Sequence, residues 1–195
     1  IAQAYARLQQ PYAPVPETTS QAYQGQAVLL AELLLKVVQA KAKQLRTLQK
    51  LYEQHPDRAI FDSLPAAGDL LAPGLLVKFG EDRQRFPRPE TVQALAGTAP
   101  VTVKSGKSHL VKFRKACDKE FRYLADTWAR STVQKSAWAA SYYQQVRPSC
   151  QSEHDAYRRL ANGWLEVLWR LWQDHALYDE SYKLRQQALR RLPLS

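Results

Sequence analysis

Lys104-Ser-Gly-Lys-Ser-His109 gathers two hydroxyls, one glycine and three basic groups into six residues, and Lys112, Arg114, Lys115 and Arg122 follow closely. A serine on a glycine-containing turn among cations suits attack on a phosphodiester. The cations hold the phosphate and stabilise the added negative charge, and Gly106 leaves room for the backbone to approach. A serine hydroxyl is a weak nucleophile that needs a base or a metal, and the acids nearby in sequence are Asp118 and Glu120. The same residues also suit a phosphate-binding loop with no catalytic role, so both chemistries stand at this point. The Gly-Lys-Ser within the stretch does not make a nucleotide P-loop. That motif needs a glycine where Val101 stands, in a strand–loop–helix setting that this region lacks.

A second candidate for phosphate contact is Leu64-Pro-Ala-Ala-Gly-Asp-Leu-Leu71, which has the layout of a helix–hairpin–helix. In such a unit the free N–H groups at a helix start, aided by the helix dipole, can hold a phosphate oxygen, and Gly68 would let it come close. Ala66 stands where such a hairpin usually carries glycine, and the anionic Asp69 follows. No metal site is expected. His55, His109, His154, His175, Cys117 and Cys150 show no ligand spacing. The two cysteines read as reduced thiols of a cytosolic protein.

The composition narrows the classes further. With 45% apolar residues and mixed charge, the chain is not intrinsically disordered. Its longest apolar stretch, Val28 to Val38, is interrupted by Glu32 and Lys36 and is too short for a membrane span. The net charge of +10 is concentrated in two places. Residues 104–122 carry seven Lys or Arg against two acids, and residues 181–195 carry four against none. Concentrated positive charge attracts polyanions, chiefly nucleic acid. The chain contains no Met, so Ile1 is not expected to be the natural start and a fragment is expected.

The elements that position these residues read as almost entirely helical. Residues 1–20 are expected to hold a helix end and a Pro-rich linker, with Thr18, Thr19 and Ser20 as cap candidates. From 21 to 55, apolar residues recur at helical spacing through Leu30, Leu34, Val37, Leu48 and Leu51, and through Ala31, Leu35, Val38, Ala42, Leu45 and Tyr52. A helix of that length, roughly 50 Å, suggests a coiled-coil partner. A compact helical domain is expected over 56–195. Its helices include one capped by Asp69, one from Asp118 to about Val133 with Phe121, Leu124, Ala125 and Trp128 inward, and one opened by Ser152-Glu-His-Asp155 whose rows Leu160, Trp164, Leu168, Leu171 and Leu165, Trp169, Trp172 form core. Residues 97–107 read as turn and extended chain, and Leu184 to Arg191 as a basic helical tail. The fold class is therefore all-α: a long coiled-coil-like helix, then a helical domain with a helix–hairpin–helix-like element.

Several ordered segments share a resemblance. Ile60-Phe-Asp-Ser-Leu-Pro-Ala-Ala-Gly68, Phe79-Gly-Glu-Asp-Arg-Gln-Arg-Phe86, Leu95-Ala-Gly-Thr-Ala-Pro-Val-Thr102 and Ser105-Gly-Lys-Ser108 with the basic run to Cys117 resemble the C-terminal half of insertion-sequence family 110 transposases. So do Ser136-Ala-Trp-Ala-Ala-Ser-Tyr-Tyr143 and Tyr178-Asp-Glu-Ser-Tyr182. The resemblance implies a DNA transposase or recombinase of the bacterial cytoplasm, associated with the nucleoid. Its C-terminal domain would supply a serine that joins covalently to DNA, and a separate N-terminal domain would hold a divalent metal such as Mg through four acids. That domain would lie before Ile1, so no cofactor is expected in this chain.

The resemblance further implies DNA and a structured RNA as partners, and assembly into a homo-oligomer, dimer or tetramer. Carried over, the serine falls at Ser105, with Ser108 as the fallback. Lys104, Gly106, Lys107, His109, Lys112, Arg114, Lys115, Arg122 and Gly68 become the expected nucleic-acid contacts. Two other functions remain open: a non-catalytic helical module that binds nucleic acid, and an assembly module built on the long helix.

Overall fold

Pro16 sets the start of the long helix. In the computed structural model, which describes residues 16–105 and 108–191, α1 runs Glu17–Glu53. The Pro16 carbonyl accepts the N–H groups of Thr19 and Ser20 at 2.9 and 3.0 Å. Thr18, Thr19 and Ser20 thus lie inside the first turn and do not cap it, because Pro16 already supplies helical φ just ahead of them. The expected helix end over 1–10 and most of the Pro-rich linker lie outside the described residues. At 37 residues, α1 is about 55 Å long. From Val28 to Val38 its apolar residues face solvent: Leu30 is 65% exposed and Leu34 64%, with Leu29, Leu33, Leu35 and Val38 similar, whereas Tyr52 in its last turn is buried. None of the described helices is long and apolar enough to cross a membrane.

The chain divides into two units, residues 1–48 and 49–195, so the last turn of α1 belongs to the second. After α1 come α2 (Arg58–Asp62), α3 (Gly68–Phe79), a 3-10 turn (Arg83–Arg85), α4 (Pro89–Leu95), strands β1 (Val101–Ser105) and β2 (Ser108–Lys112), α5 (Lys119–Thr132), α6 (Ala137–Val146), a second 3-10 turn (Arg147–Ser149), α7 (Glu153–Gln173) and α8 (Glu180–Arg191). The predominantly helical class is as expected; the expected extended stretch over 97–107 contains β1, while β2 lies beyond it and pairs with β1 as an antiparallel β-hairpin that was not foreseen.

The second unit packs around aromatic rings. Phe79 meets Phe61, Phe86, Phe121 and Trp172 edge to face, with centroids 5.4 to 6.1 Å apart. Trp164 gathers Trp128, Trp138 and Tyr178 at 5.1, 4.7 and 5.3 Å. Such pairs contribute about 0.5–1.5 kcal/mol each beyond area burial. Two of the buried indole N–H groups find acceptors: Trp164 donates to Thr132 Oγ1 at 2.8 Å and Trp128 to the Pro65 carbonyl at 2.9 Å. Of the expected core residues, Phe121, Ala125, Trp128, Leu160, Trp164, Leu165, Leu168 and Trp172 are buried, while Leu124, Trp169 and Leu171 are half-buried at the edge of the core.

Capping follows short polar side chains. Asp118, Ser136 and Ser152 accept the backbone N–H of Phe121, Ala139 and Asp155. Asp69 does not cap α3, which starts one residue earlier with Ala67 at the N-cap position. The carboxylate sits instead in the first turn, where the helix dipole favours it. The connection from α2 to α3 is tight because Ala66 and Gly68 both take positive φ, +59° and +52°. A left-handed alanine costs about 1–2 kcal/mol. Ala66→Gly removes that strain, and the greater freedom of glycine in the unfolded chain offsets part of the gain. Thermal unfolding of Ala66→Gly should rise by about 2–3 °C, for a net gain of about 0.5–1 kcal/mol; an unchanged or lower midpoint would contradict the strain.

Candidate functional site

The β-hairpin carries both candidate serines. Its register pairs Val101 with Lys112, Thr102 with Val111, Val103 with Leu110, Lys104 with His109 and Ser105 with Ser108. Ser105 ends β1 and Ser108 begins β2, so the two serines are backbone partners at the tip. Gly106 and Lys107, between them, lie outside the described residues, as do the side chains of Lys104, Ser105, Ser108 and His109. The strands begin at Val101 because Pro100, which lacks an N–H, precedes it, and β-branched Val101, Thr102, Val103 and Val111 suit extended chain.

Below the tip the basic residues divide into two kinds. Lys112 and Lys115 are exposed. Arg114 and Arg122 turn inward: Arg114 Nε donates to the Ala99 carbonyl at 3.2 Å, and Arg122 Nη2 to the Arg114 carbonyl at 2.5 Å. The Arg122 guanidinium also lies over the Phe113 ring, 4.4 Å from its centroid. Gly97 makes this possible. Its φ is +69°, and a Cβ there would stand 2.6 Å from Arg122 Nη2 and 2.8 Å from the Cys117 side chain. Gly68 is on a separate element, at the start of α3, where a Cβ would meet nothing within 4 Å among the described residues.

The two acids nearest the serines in sequence are engaged elsewhere. Lys78, from α3, reaches Asp118 Oδ2 at 2.9 Å and Glu120 Oε2 at 2.7 Å. Asp118 also accepts the Phe121 N–H at 2.9 Å, and that bond, followed by Lys78, holds its carboxyl below the usual aspartate range. Lys78 is correspondingly pushed up, first by Glu120 and then by Asp118. Both acids therefore serve the start of α5. No group of three His, Cys, Asp or Glu able to hold a metal occurs among the described residues.

A charged cluster beside the hairpin was not found from sequence. Asp126 on α5 is half-buried, its Oδ1 is buried without a hydrogen-bond partner among the described residues, and burial pushes its carboxyl up against the opposing pull of Arg158, Arg122 and His154. Arg158 lies over Phe113 with 4.7 Å to the centroid and pairs with Asp155. The spacing of Arg122 and Asp126, four residues apart on one helix face, was the available signal. Nothing local announces Arg158.

Farther along, Glu180 accepts from the Ser136 hydroxyl at 3.0 Å, the Trp138 N–H at 2.9 Å and the Tyr178 hydroxyl at 2.5 Å. Two of the segments that carried the resemblance thus meet as one structural joint.

Residues 58–144, which hold the hairpin, α5 and most of α6, match the Transposase IS116/IS110/IS902 family. The chain is also similar to the mini-circle putative transposase for IS117 of Streptomyces coelicolor, 30% identical over 135 residues, covering 69% of this chain and 33% of that protein. Insertion element IS900 of Mycobacterium paratuberculosis encodes an uncharacterized 42 kDa protein that is 26% identical over 132 residues, covering 67% and 33%. The uncharacterized 43.6 kDa protein of insertion element IS110 of Streptomyces coelicolor is 27% identical over 133 residues, covering 68% and 33%. The chain therefore spans about a third of the length of these relatives.

Proposed function

We propose that this chain is the C-terminal part of a DNA transposase or recombinase whose β-hairpin supplies the serine nucleophile for strand exchange. The observation that carries this is the hairpin itself: within the segment that matches the transposase family, the backbone pairs Ser105 with Ser108 at the tip of a basic loop. The Ser105 oxygen forms a bond to the phosphorus of a DNA phosphodiester and gives up its proton. One bridging P–O bond breaks, and the leaving deoxyribose oxygen takes up a proton. The covalent phosphoserine ester conserves the phosphodiester bond, so a hydroxyl of another DNA end reverses the step and joins the new strand. Lys104, Lys107, His109, Lys112 and Lys115 steady the charge that builds on the phosphate. Gly68 and the turn before α3 offer a second phosphate contact. The divalent metal that the resemblance implies would be held by the four acids of the family's N-terminal domain and would activate the reacting oxygens.

The partners in this proposal are DNA and a structured RNA, both held through phosphates. The exposed leucines and valines of α1 pair with a second copy to form a dimer or tetramer. Because the phosphate contacts are ionic, affinity for both nucleic acids should fall by about a thousandfold or more between 50 and 200 mM salt in gel-shift titrations. A salt-independent affinity would contradict a phosphate-binding role. A second reading, a non-catalytic nucleic-acid module, is favoured by the engagement of Asp118 and Glu120 with Lys78, which leaves neither acid free to serve the serine as base. It predicts the same salt dependence with both serines dispensable.

A further inference from the structure

A two-stranded hairpin is marginal in water by itself, so the direction in which its tip points depends on what holds its root. Here the root is held by charge on an aromatic ring. Phe113 directly follows β2 and is 43% exposed, yet guanidinium groups from two helices lie against it, Arg122 of α5 at 4.4 Å and Arg158 of α7 at 4.7 Å. Cations are attracted to an aromatic face, and such a ring can bind two of them where neighbouring acids offset their repulsion. Asp155 pairs with Arg158, and the Asp126 carboxyl lies in the field of both arginines.

The same arginine joins the two legs of the hairpin. Arg122 holds the Arg114 carbonyl, and Arg114 in turn holds the carbonyl of Ala99, just ahead of β1. Gly97 leaves the space through which Arg122 reaches them.

We propose that Phe113, gripped between Arg122 and Arg158, is a positioning residue that fixes the direction in which the hairpin presents its Ser105–Ser108 tip to a DNA phosphate. This rests on the reading of the hairpin as the serine-bearing loop. Phe113 acts through the root of the hairpin. A tip displaced by about 1 Å costs about a hundredfold in rate without any lost contact to the bound phosphate.

The test compares Phe113→Ala, Phe113→Trp and Arg158→Gln. In this chain, thermal unfolding and amide hydrogen exchange over residues 99–114 are measured. In the full-length protein, DNA affinity and the rate of strand exchange are measured. Phe113→Ala should leave the melting midpoint and DNA affinity unchanged, speed exchange of the hairpin amides about tenfold, and slow strand exchange about 10- to 100-fold. Phe113→Trp, whose ring attracts cations at least as strongly, should restore both. Arg158→Gln, which removes one cation from the other helix, should move the same two readouts in the same direction, and it keeps the test valid if Phe113→Ala fails to fold. Wild-type amide protection in Phe113→Ala or in Arg158→Gln would overturn the proposal, and so would a failure of Phe113→Trp to rescue. If Ser105→Ala and Ser108→Ala both exchange strands normally, the serine reading fails separately, and amide protection alone decides whether Phe113 anchors the hairpin.

Discussion

Ser105→Ala in the full-length protein is expected to lower strand exchange by at least about a thousandfold while leaving nucleic-acid affinity within about twofold. The asymmetry follows from what the residue does in each step. Binding to a phosphate backbone depends on cations, and the neighbouring Lys104, Lys107, Lys112 and Lys115 keep all of theirs when a neutral hydroxyl is deleted. Bond making depends on the oxygen itself, and the remaining charge stabilisation cannot replace an absent nucleophile. Ser108→Ala, one backbone pair away across the turn, should retain exchange. Loss with Ser108→Ala and retention with Ser105→Ala would move the nucleophile to the other strand. Retention in both would leave the hairpin as a binding loop.

The largest expected effect on stability is at Asp57. Its carboxylate is about 5% exposed and accepts two hydrogen bonds from Arg83, at 2.6 and 2.7 Å. Arg83 also donates to the Trp172 carbonyl at 3.1 Å and lies 4.3 Å over the Trp172 ring. Asp57→Ala leaves that guanidinium partly buried without its partner, which costs about 3–5 kcal/mol. For a unit of this size the melting midpoint should fall by about 10 °C. An effect below about 1 kcal/mol in chemical denaturation would mean that the pair is solvated and contributes little.

The pair also sets an acid limit on stability. The hydrogen bond from Arg83 holds the Asp57 carboxyl below its ordinary value of about 3.9. A depressed folded value stabilises the native state above about pH 4 and loses that contribution as pH falls through the folded value. Stability of the wild type should therefore drop below about pH 4, and Asp57→Ala should show a shallower acid slope over the same window.

What could be foreseen from sequence is what local chemistry encodes. The face of α7 that holds Leu160, Trp164, Leu168 and Trp172 repeats at helical spacing, and Ser152 and Asp118 announce their helices because a cap acts over three residues. The extended character of residues 97–107 was legible, but the second strand, Ser108–Lys112, was not. In contrast, α6 carries Ala137, Ala139, Ala140, Tyr142 and Tyr143 with little amphipathic contrast, and its helix was not foreseen from periodicity.

The site itself was only half legible. The serines and lysines stand together in sequence, but what surrounds them comes from afar. Asp118 and Glu120 looked available to a serine until Lys78, 40 and 42 residues earlier, took both. Arg114 and Arg122, expected as phosphate contacts, also hold backbone carbonyls at the hairpin root, a role that sequence did not show. Asp57 and Arg83 are 26 residues apart, and Phe113 meets Arg158 from the other side of the unit's sequence. Spacing within one helix reports such partners only when they share that helix, as Arg122 and Asp126 do.

The most direct test of the central claim is to trap the covalent intermediate. Full-length protein would be incubated with its DNA and denatured during strand exchange, then digested with nuclease and trypsin before mass spectrometry. Cleavage after Lys104, Lys107 and Lys112 places the two serines on different peptides, residues 105–107 and 108–112. The expected result is a nucleotide phosphate on the 105–107 peptide. A protein–DNA adduct on any residue outside the hairpin, or strand exchange with no adduct at all, would contradict the assignment of a serine nucleophile to this chain.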